Sequence, residues 1–370
     1  MNPHRLLLVA GARPNFMKVA PLLRAAGADA AFDARLVHTG QHYDEHMSGA
    51  FFRDLGIPAP AHHLEAGSGT HAVQTAEILR RFEPVLDQEN PGAVVVAGDV
   101  NSTLACALAA AKKQIPVIHV EAGLRSFDRS MPEEINRLAT DAISDLLLAS
   151  EESAVENLRR EGVPDHRIAF VGNLMIDSLA AHREAARALN TALRLELPEK
   201  YGLVTLHRPA NVDRPEALAP IIRALEQIGG DLPLVFPVHP RTRARLDPLR
   251  PLRNIRLLDP LGYLEFLALH DGARAIFTDS GGIQEESTIL GIPCFTLRDN
   301  TERPATIAEG TNRLAGTTKE SILAAWKGRS LVRRDRLRKP TGWDGHAAPR
   351  AVEAIRRFLT KSQVPLRRAA

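Results

Sequence analysis

TDSGGIQEESTILGIPC, residues Thr278 to Cys294, decides how this chain is read. The apolar run Ala275-Ile-Phe277 ahead of it predicts a strand, Ser280-Gly281-Gly282 a turn, and the residues beyond an amphipathic helix bearing Glu285 and Glu286. Amides at the start of a helix have no intrahelical acceptor, so this turn offers N–H donors to an anion, most often a phosphate. A carboxylate one turn further in can take two ribose hydroxyls, and Arg303, in the following Arg298-Asp-Asn-Thr-Glu-Arg303-Pro304, adds a cation. The combination fits a nucleotide diphosphate, without a Walker lysine or a dinucleotide fingerprint.

Outward from that stretch, the chain alternates short apolar runs with longer helical patterns. In the first half Arg5–Ala10, Arg35–Thr39, Ala93–Ala97, Pro116–Glu121, Leu146–Ser150 and Arg167–Val171 read as strands. An Ala/Arg/Glu-rich helical stretch from Asp177 to about Leu195 follows, and the rhythm restarts. Tyr201–Leu206, Leu234–Val238, Ile255–Leu258, Ala275–Phe277 and Pro293–Leu297 form the second set. Continuous β-branched runs separated by helices mark parallel sheets covered on both faces. The expectation is an α/β chain of two Rossmann-like domains facing a cleft. The first spans residues 1–178 and is joined by 347–370; the second, which holds the nucleotide, spans 179–346. Val352, Ile355 and Leu359 put an apolar stripe on a final helix from Ala347 to Leu359. The Arg-rich segment Arg333 to Lys339 reads as a solvated surface.

Composition narrows the function classes. With 44% apolar and 25% charged residues, the 370-residue chain has the make-up of an ordinary globular protein. A net charge of +3 is too small to indicate nucleic-acid binding, and no apolar run is long enough to span a membrane. The opening Leu-Leu-Leu-Val-Ala run is too brief for a signal segment, so the cytoplasm is the expected compartment. Cys106 and Cys294, the only two cysteines, offer neither zinc spacing nor a disulfide framework and read as buried small residues. The fourteen histidines show no metal spacing. Gly67-Ser-Gly69-Thr-His-Ala72 mimics a dinucleotide fingerprint but follows no buried strand, so it is rejected.

In open parallel sheets ligands bind beyond the carboxyl ends of the strands, and those positions are densely polar here. After the first strand, Gly11 permits a tight turn while Arg13 and Lys18 place two cations beside a helix start, an arrangement that calls for an anion. After the third comes Gly98-Asp99-Val-Asn101, where Asp99 is either a functional acid or the N-cap of a helix beginning near Ser102. Glu121 and Arg125 end the next strand in His119-Val-Glu121-Ala-Gly123-Leu-Arg125. Glu133 and Glu134 lie in the first turn of a helix opened by Pro132, where acids also simply complement the dipole. In the second half, His207-Arg208 and His239-Pro-Arg241 follow strands as paired anion contacts.

These residues are recognisable together. GARPNFMK, TGQHYDEHM, GDVNSTLA, HVEAGLRS, MPEEINR, TLHRP, PVHPRT, TDSGGIQEE and RDNTERP occur in that order over nearly the whole chain. The chain thereby resembles the non-hydrolysing UDP-N-acetylglucosamine 2-epimerase family, of glycosyltransferase-B fold, whose last helix crosses back onto the N-terminal domain. The resemblance implies inversion of C2 of UDP-N-acetylglucosamine, without cofactor or metal, by a cytoplasmic homodimer. It assigns acid/base roles to Asp99, Glu121 and Glu133, and a place near the leaving phosphates to His207. Arg13, Lys18, Ser280, Gly281 and Gly282 would hold the UDP portion, Glu286 the ribose, and Arg303 the diphosphate or sugar. Phe266 would lie beside the uracil, and Arg125, His239 and Arg241 complete the expected substrate contacts.

Departures from the family pattern are Ala12, Asn15 and Ala210, where relatives often carry Thr, Glu and Glu. Asp44 and Glu77 fall where several bacterial relatives use a glutamine and an arginine to hold a second, activating substrate molecule. Two acids there predict weak or absent activation. A hydrolysing epimerase, an epimerase of a related UDP-2-acetamido sugar, a glycosyltransferase of the same fold and a non-catalytic nucleotide-sugar-binding regulator are the alternatives. Three acids at strand and helix ends argue against the last two.

Overall fold

A computed structural model describes residues 3–40, 52–249, 251–328 and 339–362, apart from a few side chains that include those of Arg13, Pro240 and Arg241. Asp44, most of the TGQHYDEHM motif and the Arg-rich segment up to Arg338 lie outside the described residues. The fold separates into one unit of Met1–Ala180 with Thr341–Ala370, and a second of Ala181–Pro340.

In the first unit, β1 (His4–Ala10), β2 (Phe32–His38), β3 (His62–His63), β4 (Ala93–Ala97), β5 (Val117–Ala122), β6 (Leu146–Ala149) and β7 (Ile168–Phe170) form one sheet. Its order is β3-β2-β1-β4-β5-β6-β7, and every pairing is parallel. The reason is visible in β4, whose five residues are all buried: a strand apolar on both faces needs helices on both sides. Leu7, Val9, Val94 and Val96 pack with Ile78, Phe82 and Leu86 of α2 (His71–Glu89) and Cys106 of α3 (Asn101–Lys112). Each such fully buried side chain contributes roughly 1.5–3 kcal/mol. The C-terminal helix Ala347–Ser362 returns to this unit and packs on α1 (Arg13–Gly27), burying Val352, Ile355 and Leu359. Asp177 anchors its start by accepting the Ala347 and Ala348 amides at 3.0 and 2.7 Å.

In the second unit, β8 (Gly202–Thr205), β9 (Leu234–Pro237), β10 (Ile255–Leu258), β11 (Ala275–Thr278), β12 (Cys294–Thr296) and β13 (Asn312–Leu314) make a parallel sheet of order β10-β9-β8-β11-β12-β13. Phe277 stacks on Phe295 at 5.2 Å and both meet Trp326, closing the core on one face. Both sheets therefore repeat the doubly wound order. Each has a switch point where chain direction across the sheet reverses, between β1 and β4 and between β8 and β11.

The strand rhythm of the sequence is realised, with local corrections. The strands β3 and β13, two and three residues long, were not expected; both are edge strands too short for a pattern to show. The helical stretch after Asp177 is not continuous: Leu174–Ala188 ends, Asn190 adopts a left-handed φ of 47°, and Thr191–Arg194 starts anew. Helix α3 begins at Asn101 with Val100 as N-cap, so Asp99 is not the cap. Cys106 and Cys294 are buried, and burial pushes the Cys294 thiol up to about 12.

Candidate functional site

At the switch point of the first unit, two strand ends and one helix start converge. Gly11, directly after β1, lies so close to α3 that a Cβ would meet Ser102 Oγ at 2.1 Å and Thr39 Oγ1 at 2.7 Å. Glycine is required there for space. Asn15 Oδ1 accepts the Gly11 and Ala12 amides at 3.1 and 3.0 Å, and its Nδ2 donates to Ala97 O at 2.8 Å. This family departure thus ties the β1 turn to the end of β4.

Glu121 occupies a bulge near the end of β5, where the register with β6 shifts, and holds φ at 70°. A left-handed glutamate costs of order 1–3 kcal/mol, and such strain concentrates at functional positions. Its Oε2 pairs with Lys18 Nζ, both groups being buried. A Cβ on Gly98 would lie 3.2 Å from Lys18 Nζ and 3.5 Å from Glu121 Oε2, so the pair sits over the residue preceding Asp99. Asp99 pairs with Arg137 of α4 (Pro132–Ile143), and its carbonyl accepts Asn136 Nδ2 at 2.9 Å. Glu133 opens the same helix, half-buried, with no hydrogen bond or ion pair among the described residues. Two strand ends thus carry Glu121 and Asp99, and α4, bonded to Asp99, carries Glu133.

Behind these acids is a buried charge network. Glu134 takes Arg137 Nε at 2.8 Å and the Ser126 and Phe127 amides at 3.0 and 2.9 Å. Burial pushes its carboxyl up, but those amides and the guanidinium outweigh burial and hold it below the usual range. His119 Nδ1 meets Asp141 Oδ1 at 2.6 Å and its Nε2 meets Gly98 O at 2.8 Å, which fixes the turn leading to Asp99. Arg125 is saturated. Its side chain is 1% exposed, reaching Asp141 at 2.7 Å and Glu161 at 2.8 and 2.6 Å. Arg125, expected to touch substrate, is held inside the fold by two carboxylates. Lys18, expected at the diphosphate, is found on Glu121.

In the second unit the arrangement inverts. α8 (Gly281–Leu290) starts after β11, with Ser280 as an N-cap whose side chain makes no capping bond. The first-turn amides therefore face outward from the strand end. A Cβ on Gly281 would press on Glu302 Oε1 at 2.8 Å, so a larger residue there would have to displace that carboxylate. Glu302 receives Arg298 at 2.7 Å and Arg208 at 3.3 Å, while Arg303 Nε reaches Glu285 at 2.6 Å. Burial pushes the Glu302 carboxyl up; Arg303, Arg298 and Arg208 outweigh it and hold the acid far below the usual range. His207, after β8, is 60% exposed and directs Nδ1 to Asp279 Oδ1 at 2.9 Å. Glu286 is buried on α8: Oε2 lies 3.3 Å from His270 Nδ1, and Oε1 has no hydrogen-bond partner among the described residues. Phe266, half-buried on α7 (Tyr263–Gly272), lies 6.2 Å from the His270 ring. His239 follows the neighbouring strand β9 and is exposed. The side chains of Arg13 and Arg241 are outside the described residues.

Pairing partners such as Arg137, Asp141 and Asp279 were not singled out from sequence; each lies many residues from its counterpart, and one chain carries no signal of such pairing. Glu77 is bonded to Arg80 and Arg81, so its charge does not stand alone. Among the described residues no group of three or more His, Cys, Asp or Glu side chains could hold a metal, and no helix is long and apolar enough to cross a membrane.

Twin doubly wound sheets, with acids at one switch point and a helix N-terminus at the other, define an α/β protein of the glycosyltransferase-B class. The UDP-N-acetylglucosamine 2-epimerase family profile matches residues 24–356, and the chain belongs to that family. It is 45% identical to the UDP-N-acetylglucosamine 2-epimerase of Methanocaldococcus jannaschii over 335 residues, covering 87% of this chain and 91% of the relative. It is 41% identical to the UDP-2,3-diacetamido-2,3-dideoxy-D-glucuronate 2-epimerase of Pseudomonas aeruginosa over 322 residues, covering 86% and 90%. The crystal structure of the M. jannaschii UDP-GlcNAc 2-epimerase in complex with UDP-GlcNAc and UDP superposes with a TM-score of 0.90 at 43% identity, covering 95% of this chain and 99% of that one.

Proposed function

We propose that this protein interconverts UDP-N-acetylglucosamine and UDP-N-acetylmannosamine by inverting C2. The observation that carries the reading is the set Asp99, Glu121 and Glu133 at one sheet edge, in a chain whose family profile runs almost end to end. The C2 hydrogen is not adjacent to a carbonyl, so a base cannot remove it directly. Loosening of the C1–O bond to UDP builds oxocarbenium character at C1, which acidifies C2–H. Loss of that proton to a carboxylate, with departure of UDP, leaves a 2-acetamidoglucal. Return of UDP to C1 and of a proton to the opposite face of C2 completes the inversion, which requires differently placed acids.

In this reading the α8 amides of Gly281 and Gly282, with Ser280 and Arg303, take the diphosphate, and Glu286 takes the ribose. Phe266 lies beside the uracil. Lys18 is assigned a different part from the one its motif implied: it neutralises Glu121 and keeps that carboxylate aimed. The working form is a cytoplasmic homodimer; support for pairing comes from Ile135, an exposed apolar residue beside an apolar groove between α2 and α4.

The test is incubation with UDP-N-acetylglucosamine in heavy water, followed by NMR of the sugar. UDP-N-acetylmannosamine carrying deuterium at C2 is the expected product. Free N-acetylmannosamine would instead mark a hydrolysing enzyme. The P. aeruginosa relative favours a second reading, a UDP-diacetamido uronate substrate. Turnover of that sugar with none of UDP-N-acetylglucosamine would establish it.

A further inference from the structure

We infer that Asp279 is the positioning residue for His207, holding its Nδ1–H so that the ring meets the leaving diphosphate through Nε2 as a cation. The inference rests on the epimerase reading and adds to it a residue that no motif assigned. Asp279 is fully buried immediately after β11, and His207 follows β8, the strand paired with β11. The two residues therefore sit on either side of the second unit's switch point. Asp279 Oδ1 is 2.9 Å from His207 Nδ1 and accepts the His207 amide at 3.1 Å. Oδ2 accepts the Arg208 amide at 3.0 Å and Asn211 Nδ2 at 3.1 Å. Main chain and ring are thus fixed by one carboxylate, and the 60% exposed imidazole keeps a single orientation although its own surface is wet.

The chemistry follows from what each atom can do. A buried, ionised carboxylate only accepts, so the imidazole must carry hydrogen on Nδ1. Burial pushes Asp279 up, but the His207 charge and hydrogen bond, with the Arg208 and His207 amides, outweigh it and hold the acid below the usual range. The same attraction favours the imidazolium over the neutral ring, and an imidazolium opposite a departing diphosphate stabilises the charge that develops there. Among the described residues the charges around the pair include Arg208, whose Nε donates to Asp279 O at 3.0 Å, and Glu302, 3.3 Å from that guanidinium. Asn211 is neutral. Asp279 is the carboxylate bonded to Nδ1 of the ring.

The experiment uses the full chain. Long-range 1H–15N spectra of the wild type, with the His207 signal assigned by its loss in His207→Gln, should show Nδ1 protonated in the neutral form and displaced toward lower pH in Asp279→Asn. A neutral ring protonated on Nε2 would overturn the proposal, and this readout needs neither turnover nor a variant of Asp279. For turnover of UDP-N-acetylglucosamine, Asp279→Asn should lower kcat/KM about 10- to 100-fold. The basic limb of its pH profile should move to lower pH, and UDP binding should weaken over the same pH range, because the ring facing the diphosphate loses its charge there. Placed on His207→Asn, the same substitution should add nothing. A parallel loss at every pH with unchanged His207 titration, or additive losses in the double variant, would reduce Asp279 to a structural residue. Wild type that turns over no UDP-N-acetylglucosamine counts against the substrate reading; the spectra still judge the pair.

Discussion

The two sheets share one strand order, yet their switch points treat charge in opposite ways. In the first unit the carboxylates face forward and cations are packed beside them: Lys18 on Glu121, Arg137 on Asp99 and Glu134, Arg125 on Asp141. In the second, cations and helix amides face forward and carboxylates brace them: Asp279 behind His207, Glu302 behind Arg208 and Arg298, Glu285 behind Arg303. A doubly wound sheet is therefore neutral as to function. In the proposed reading, what the loops put in front, and what sign of charge is set behind it, suits one edge to moving protons and the other to holding an anion.

The comparison is broken most directly at the acids. Asp99→Asn, Glu121→Gln and Glu133→Gln should each lower kcat by about 10²- to 10⁴-fold. UDP affinity, read by calorimetry, should stay nearly intact, because the anion-holding groups are on the other unit. Unchanged turnover in any of the three removes that residue from the mechanism; a matching loss of UDP binding would show that the division of labour is wrong. A second break separates catalysis from folding. Lys18→Met leaves a buried Glu121 carboxylate without its cation, which costs about 3–5 kcal/mol when one member of a buried pair is removed. Denaturant unfolding should report that loss, and a stability equal to wild type would mean that the other groups around Glu121 suffice to hold its charge.

What could be read in the residues divides along the same line. Both sheets were legible because β4, β5, β8 and β11 are short apolar runs, and a strand buried on both faces can be little else. The framework of the candidate site was legible wherever it depends on position along the chain: Glu121 interrupts an apolar strand, and Ser280-Gly281-Gly282 separates strand from helix. It was not legible where function depends on a partner. Arg125 after a strand looks the same in sequence whether it meets a ligand or, as here, Asp141 and Glu161, 16 and 36 residues away. Lys18 looks like an open cation until the fold brings it 103 residues across to Glu121. Asp279 stands inside the most telling stretch of the chain, but only the pairing of β8 with β11 reveals that it holds His207.

A smaller effect tests whether the first unit's edge tolerates uncompensated charge. His38 ends β2, buried, with its ring stacked on His63 at 4.6 Å and tilted against Phe16 at 5.2 Å. Burial, and next the neighbouring His63, lower its pKa from 6.5 to about 4. Between those values the unfolded chain binds a proton that the folded one refuses. The stability associated with His38 is thus fully present above pH 6.5 and is lost as pH falls toward 4. The loss should amount to roughly 1–3 kcal/mol. His38→Phe should flatten the stability profile across that window; an unchanged slope would place the proton uptake elsewhere.

The finest distinction lies at Glu286, where the second unit departs from the pattern of paired acids. Its Oε1 is buried without a hydrogen-bond partner among the described residues, while Oε2 lies 3.3 Å from His270 Nδ1. An unsatisfied carboxylate oxygen is a cost to the fold, and two vicinal hydroxyls of a ribose are donors that would remove it. Glu286→Gln keeps the shape but replaces one acceptor by a donor, so one of two hydroxyl bonds is lost and UDP should bind about tenfold more weakly. Folding stability should hold or rise, since a buried charge disappears. That sign is opposite to the one expected for Lys18→Met, and the two results together would show one unit's charge supporting its own structure and the other's set against stability for the sake of a ligand. Unaltered UDP affinity in Glu286→Gln, with stability reduced, would show that Glu286 serves the fold and leave the ribose to another group.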